Sequence, residues 1–167
     1  LQRWQRAALE RGELPAPVAA AGEVVIDAAA CAINFPDTLM IVDKYQFRPE
    51  RPFAPGGEVA GVVSSVGDGV THLKVGDRVI AGCGNGGLSE QIATRAANTY
   101  VLPDQFSFAD GSALLMTYGT SIHALVERGR LKAGETLLVL GAAGGVGLAA
   151  IEIGKAMGAR VIGAVSS

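Results

Sequence analysis

The sequence is short of several things, and each shortage closes off a class of function. It has only two cysteines in 167 residues, Cys31 and Cys83. With no C-x-x-C spacing, they can build neither a disulfide framework nor a four-cysteine zinc lobe, and this usage fits a reducing, cytoplasmic setting. No apolar run is long enough for a bilayer. The uncharged stretch Thr136–Ile151 is 16 residues and contains four glycines, against the roughly 20 apolar residues a spanning helix needs, so no membrane partner is expected. The opening "LQRWQRAALERGELPAP" lacks the continuous apolar core and small-residue cleavage site of an export signal. Positive charge is not in excess either. The formal net charge is −2, and basic residues are interleaved with acids, as in "ERGRLKAGE", rather than gathered into a stripe that would neutralise a phosphate backbone. That pattern argues against nucleic acid as a partner.

What is present is 49% hydrophobic and 18% charged residues, enough apolar content for one sizeable domain or two small ones. The pattern changes along the chain. From about Gly22 to Leu102, short valine- and isoleucine-rich runs ("EVVIDAAACAI", "GEVAGVVSSVG", "GDRVIAG", "SEQIAT") are separated by the turn signals "VGDGV" and "KVGDR", which predicts a compact, mostly antiparallel β-domain. After "VLPDQ" the pattern becomes helical. Ser107 can cap with Asp110 three residues on, and "SALLMTYGTSIHALVERG" has apolar residues at helical spacing, with Gly119 expected to divide it into two helices. "LKAGETLLVL" then reads as a strand without alternation, buried on both faces of a parallel sheet. The helix "GLAAIEIGKAM" and the strand "ARVIGAV" complete a β-α-β unit, so the fold class is α/β.

The join between strand and helix, "LVLGAAGGVG", is a generic dinucleotide turn. Backbone N–H groups at the helix start point at a pyrophosphate, and the helix dipole favours its charge. In the register of the G-x-G-x-x-G fingerprint, Ala142, Gly144 and Gly147 occupy the three places, so the first glycine is missing. The competing reading is a tight crossover that needs small residues for packing alone.

"LVLGAAGGVGLAAIEIGKAMGARVIG", together with "AINFPDTLMIVDKYQFRPERPFAPGGEVAGVVSSVG", resembles the medium-chain dehydrogenase/reductase superfamily. Within it, the likeness is to the zinc-free NADPH:quinone oxidoreductase branch that includes zeta-crystallin. The resemblance covers about Gly22 to the end. It implies a GroES-like β-rich catalytic domain, assigned to 1–116, followed by the N-terminal part of a Rossmann domain, 117–167, with the nicotinamide in the cleft between them. It also implies further Rossmann strands after Ser167, so the chain reads as truncated, and an intact homodimer. Where zinc-bearing relatives have a Gly-His-Glu motif, this chain has Gly57 in place of the histidine, and Asn34 stands where a cysteine ligand would be. Without those donors no closed set of N and S ligands forms, and no metal is expected.

By the same resemblance, the candidate catalytic residues are Asn34, Asp37 and Tyr45. Asn34 and Asp37 of "NFPD" sit near the nicotinamide and its ribose, with local turn capping as the competing role for Asp37. Tyr45 resembles a tyrosine that hydrogen-bonds the substrate carbonyl and supplies a proton. Thr120 matches a threonine near the nicotinamide, although a helical hydroxyl can equally bond back to a carbonyl one turn earlier. The cofactor contacts expected are Asn34, Thr120, Ala142, Ala143, Gly144, Gly145, Val146, Gly147, Ser166 and Ser167. The last two occupy the place where NAD-selective sites carry an acid. Cys31 reads as a small buried hydrophobe, and Cys83 has no neighbouring base to make it a nucleophile. Glu58 reads as structural, His123 as a satisfied histidine within the apolar stretch, and His72 as a surface turn residue. The function implied is hydride transfer from NADPH to a quinone or similar conjugated carbonyl. The alternatives are an enoyl-thioester or enone reductase of the same superfamily, or a non-catalytic, crystallin-type nucleotide-binding protein.

Overall fold

The computed structural model describes residues 9–166 and divides into two compact units, the first ending at Ala113 and the second beginning at Leu114. In the first unit the apolar runs form strands β1 (Glu23–Ala32), β2 (Glu58–Val66), β3 (Arg78–Gly82), β4 (Gln91–Arg95) and β5 (Thr99–Val101). They make one antiparallel sheet in the order β4-β1-β2-β3-β5, as the valine-rich runs and glycine turns predict. Inward side chains of β1, β2 and β3 supply most of the core: Val24, Ile26, Val59, Val63, Val79 and Ala81, closed by Leu73, Ile92 and Ala96. His72 is exposed, and its Nε2 lies 3.1 Å from the Ala96 carbonyl.

Two short helices complete the unit. Helix α1 (Phe35–Ile41) begins at Asn34, with Pro36 in the first turn, where its missing N–H is harmless. Helix α2 (Phe108–Ser112) is capped as expected: the Asp110 N–H donates to Ser107 Oγ at 3.1 Å. Arg78 ties this segment to β3. Its guanidinium donates to the carbonyls of Asp104 and Phe106 at 3.2 and 2.6 Å and lies 4.6 Å from the Phe108 ring centre.

The second unit opens with a continuous helical stretch made of a π-turn (Leu115–Gly119), helix α3 (Thr120–Ile122) and a second π-turn (His123–Arg128). Gly119 does not divide it: its backbone is helical, at φ −59°, ψ −46°. The break falls at Ala113, at φ −101°, ψ 5°. A mid-helix glycine costs only about 1 kcal/mol, which docking of the helix can offset. His123, expected as a satisfied histidine within the apolar stretch, starts the second π-turn. Its side chain is 61% exposed and pairs with Glu127 at 2.7 Å.

Strand β6 (Thr136–Leu140), helix α4 (Gly145–Ala156) and strand β7 (Arg160–Ala164) follow, with β6 and β7 parallel and in register from Thr136↔Arg160 to Leu140↔Ala164. Among the described residues each strand has only the other as neighbour. Leu138 and Leu140 are therefore 57% and 75% exposed, where the uninterrupted apolar pattern predicts burial on both faces.

Candidate functional site

Two groups of residues carry chemistry, one in each unit. In the first, α1 starts immediately after β1, and Asp37 reaches back across its first turn. The Asn34 backbone N–H donates to Asp37 Oδ2 at 2.7 Å, and the Gly56 N–H donates to Asp37 Oδ1 at 3.1 Å. Both carboxylate oxygens of this buried residue thus accept backbone amides, one local and one nineteen residues away, and Asp37 fastens the start of α1 to the loop entering β2. At the first position of β2, Glu58 is also buried, and Asn34 Nδ2 donates to its Oε1 at 2.8 Å. Asn34 is held by its main chain and its side chain at once.

Cys31 and Cys83 lie beside the same loop. The Cys31 Sγ occupies space that a Cβ at Gly56 or Gly87 would fill, and the Cys83 thiol donates to the Gly56 carbonyl at 3.4 Å. Burial first, then the charges of Asp37 and Glu58, push the Cys31 thiol up to about 11. Burial first, then the neighbouring Cys31, push Cys83 up to about 12. Both remain thiols near neutrality, so neither has the thiolate a nucleophile needs. Tyr45 is half-buried in the loop after α1, and among the described residues it is not hydrogen-bonded to the Asn34–Asp37–Glu58 group.

In the second unit, the turn from β6 into α4 runs from Gly141 to Gly144. Gly141 has φ +65°, a left-handed conformation that glycine adopts without steric cost. It takes the tight-turn role one residue before the expected place. Ala142 is buried, and its N–H donates to the Ala164 carbonyl of β7 at 3.1 Å. Gly144 caps α4, and the Leu148 N–H returns to the Gly144 carbonyl at 2.8 Å. Among the described residues, the first-turn N–H groups of Gly145, Val146 and Gly147 have no acceptor, which leaves them for an anion at the positive end of a twelve-residue helix. Gly147 has no room for a side chain, since a Cβ would lie 2.4 Å from the Gly141 oxygen.

Thr120 is exposed on α3. The hydroxyl that bonds back one turn is that of its neighbour Ser121, at 2.9 Å from the Thr117 carbonyl. Ser166 is exposed after β7, and Ser167 lies outside the described residues. Sequence reasoning missed Ser121, the Gly56 amide and the turn role of Gly141. Only Gly141 left a local signal, the glycine immediately following an apolar strand. Among the described residues no group of three or more His, Cys, Asp and Glu side chains is arranged to hold a metal ion.

Residues 20–104 match the alcohol dehydrogenase GroES-like domain. The quinone oxidoreductase of Rattus norvegicus is 39% identical over 158 residues, which are 94% of this chain and 48% of that protein. The chain spans about half the length of the curated relatives it matches. Among solved structures, a probable oxidoreductase from Mycobacterium abscessus is 46% identical with a TM-score of 0.85, covering 93% of this chain and 50% of that one. The Escherichia coli quinone oxidoreductase complexed with NADPH is 35% identical, with a TM-score of 0.83 and coverage of 93% and 48%. The CurK enoyl reductase is 31% identical, with a TM-score of 0.85 and coverage of 93% and 49%. The antiparallel sheet of the first unit and the match across residues 20–104 agree, and the chain belongs to the alcohol dehydrogenase GroES-like domain family.

Proposed function

We propose that the protein is an NADPH-dependent oxidoreductase that delivers hydride to a quinone or a similar conjugated carbonyl without a metal, acting as a cytoplasmic homodimer. In this reading the first unit belongs to its catalytic domain, and the second, from Leu114, begins its cofactor domain. The observation that carries this reading is the turn from β6 into α4: Gly141 at φ +65°, a Gly147 with no space for a Cβ, and first-turn amides left for an anion. The likeness to quinone oxidoreductases, one of them solved with NADPH, supports the choice of ligand. When bound, the cofactor supplies the hydride, and the chain's own residues bind and orient. Gly144 and the amides of Gly145, Val146 and Gly147 hold the pyrophosphate, with Ala142 and Ala143 in the turn that precedes them. Ser166 and Ser167 accommodate a 2′-phosphate without opposing charge. Asn34, fixed by Glu58 and Asp37, and Thr120 orient the nicotinamide end, and the Tyr45 hydroxyl donates a proton to the carbonyl oxygen.

The test compares kcat/KM for NADPH and NADH, with 1,4-naphthoquinone and with crotonyl-CoA as acceptors. A clear preference for NADPH and for the quinone is expected, and Ser166→Asp should erode the cofactor preference about tenfold, the effect of roughly 1.4 kcal/mol. Equal use of the two cofactors would refute the assignment of the serines. A second reading, enoyl-thioester reduction, draws on the likeness to the CurK enoyl reductase, and faster turnover of crotonyl-CoA than of the quinone would select it.

A further inference from the structure

We propose that Ser121 is a positioning residue for the pyrophosphate-binding turn. The proposal rests on reading residues 141–147 as the NADPH cradle and adds how that cradle is held in place. Ser121 is 1% exposed. Its Oγ lies 2.9 Å from the Thr117 carbonyl oxygen and 3.0 Å from that of Val146. A serine hydroxyl has one O–H to donate. In an isolated helix the carbonyl four residues earlier would take it, whereas here Val146, the second residue of α4, competes at nearly the same distance.

Two further contacts come from the same side of the helical stretch. A Cβ at Gly145 would meet Thr117 Cγ2 at 3.0 Å, and the Tyr118 hydroxyl donates to the Glu152 carboxylate. Thr117, Tyr118 and Ser121 therefore back onto α4 along a single stripe. The Ser121 side chain bonds to main chain in the first turn of α4.

That bond bears on ligand binding through peptide geometry. The Val146 carbonyl and the Gly147 N–H belong to one planar peptide unit, so a donor that holds the oxygen also fixes the direction of the N–H at the opposite edge. The Gly147 N–H is one of the three amides left for the pyrophosphate. Ser121 holds it aimed before the ligand arrives, which removes an ordering cost from binding.

The experiment measures dissociation constants of the protein for NADPH, by nucleotide fluorescence, and for adenosine 2′-phosphate, which has no pyrophosphate. Ser121→Ala keeps a good helix former and should raise the Kd for NADPH about fivefold, or roughly 1 kcal/mol, while the Kd for adenosine 2′-phosphate stays the same. KM for NADPH should rise with kcat unchanged. Ser121→Cys keeps the size with a weaker donor and should move the same way, and Ser121→Thr, which retains the hydroxyl, should restore affinity. An unchanged NADPH affinity in Ser121→Ala, or equal weakening of both probes, overturns the role. Absence of NADPH binding by the unsubstituted protein would instead overturn the cradle reading itself, and this role with it.

Discussion

Substituting Gly147 by alanine tests whether this residue is present for space or for flexibility. The added Cβ would lie 2.4 Å from the Gly141 oxygen, 2.9 Å from the Ala142 Cα and 3.1 Å from the Gly141 carbonyl carbon. All three are main-chain atoms of the turn, so no rotamer change can relieve the contact. Overpacking of this kind costs typically 1–3 kcal/mol. Against it stands the helix preference of alanine over glycine, worth up to about 1 kcal/mol in a helix interior and less in a first turn. The clash wins, and a net loss of about 2 kcal/mol is expected, corresponding to roughly 4–8 °C in Tm for a chain of this size. Two neighbours serve as controls. A Cβ at Gly144 would meet nothing closer than 3.5 Å, and one at Gly145 would meet only a side-chain atom, the Thr117 methyl, at 3.0 Å. Both alanine variants should melt close to the unsubstituted protein. The assay is thermal unfolding followed by circular dichroism, with NADPH affinity measured in parallel, and Gly147→Ala should lose both stability and affinity. A Gly147→Ala melt within a degree of Gly144→Ala would refute the packing argument.

The remaining expectations concern thiols, metal and association. With Cys31 at about 11 and Cys83 at about 12, alkylation by iodoacetamide in the folded state should be very slow at pH 8 and accelerate only toward pH 11. Because both thiols bind their protons more tightly folded than unfolded, their stabilising contribution is complete below the ordinary thiol range near 9. It should be lost as the pH climbs from there toward 11–12, which a series of urea unfolding curves would show; stability flat or rising over that window would contradict the assigned burial. Chelator treatment should leave activity unchanged, given Gly57 and Asn34 at the ligand positions of zinc-bearing relatives. Stoichiometric zinc lost together with activity would sink that expectation. The 167-residue chain alone should self-associate, because Leu138, Leu140, Ile162 and Val165 are exposed on or beside the two-stranded sheet; a monomer by sedimentation with a single cooperative melt would contradict this.

The strands were legible wherever valine and isoleucine runs ended at glycine turns, because that signal is local. β5 was not, since Thr99–Val101 is three residues long and two of them are exposed, too short to show a period. The helical stretch 115–128 is legible as helix but not in phase, because its two π-turns change which residues share a face; His123 is satisfied, as expected, but by Glu127 on an exposed surface. In the site, the Asn34–Asp37 contact is three residues long and follows from helix capping. Asn34 to Glu58 and Gly56 to Asp37 span 24 and 19 residues. Those contacts depend on β1 and β2 pairing so that Ala32 faces Glu58, a register that composition does not encode.

The glycine turn shows the same distinction within ten residues. A fingerprint written in letters asks for glycine at the place of Ala142, but the physical requirement is a left-handed residue where the chain leaves β6. Gly141 meets it at φ +65°. With that turn made one residue early, Ala142 is free to carry a Cβ. It is buried and donates its N–H to the Ala164 carbonyl at the end of β7, fastening the turn to the neighbouring strand. The alanine therefore leaves the turn intact: the residue with no room for a side chain is Gly147, and among the described residues the first-turn amides of Gly145, Val146 and Gly147 have no acceptor. Judged by its letters the fingerprint lacks its first member, whereas judged by backbone angle and available space Gly141 makes the tight turn and Gly147 the close packing.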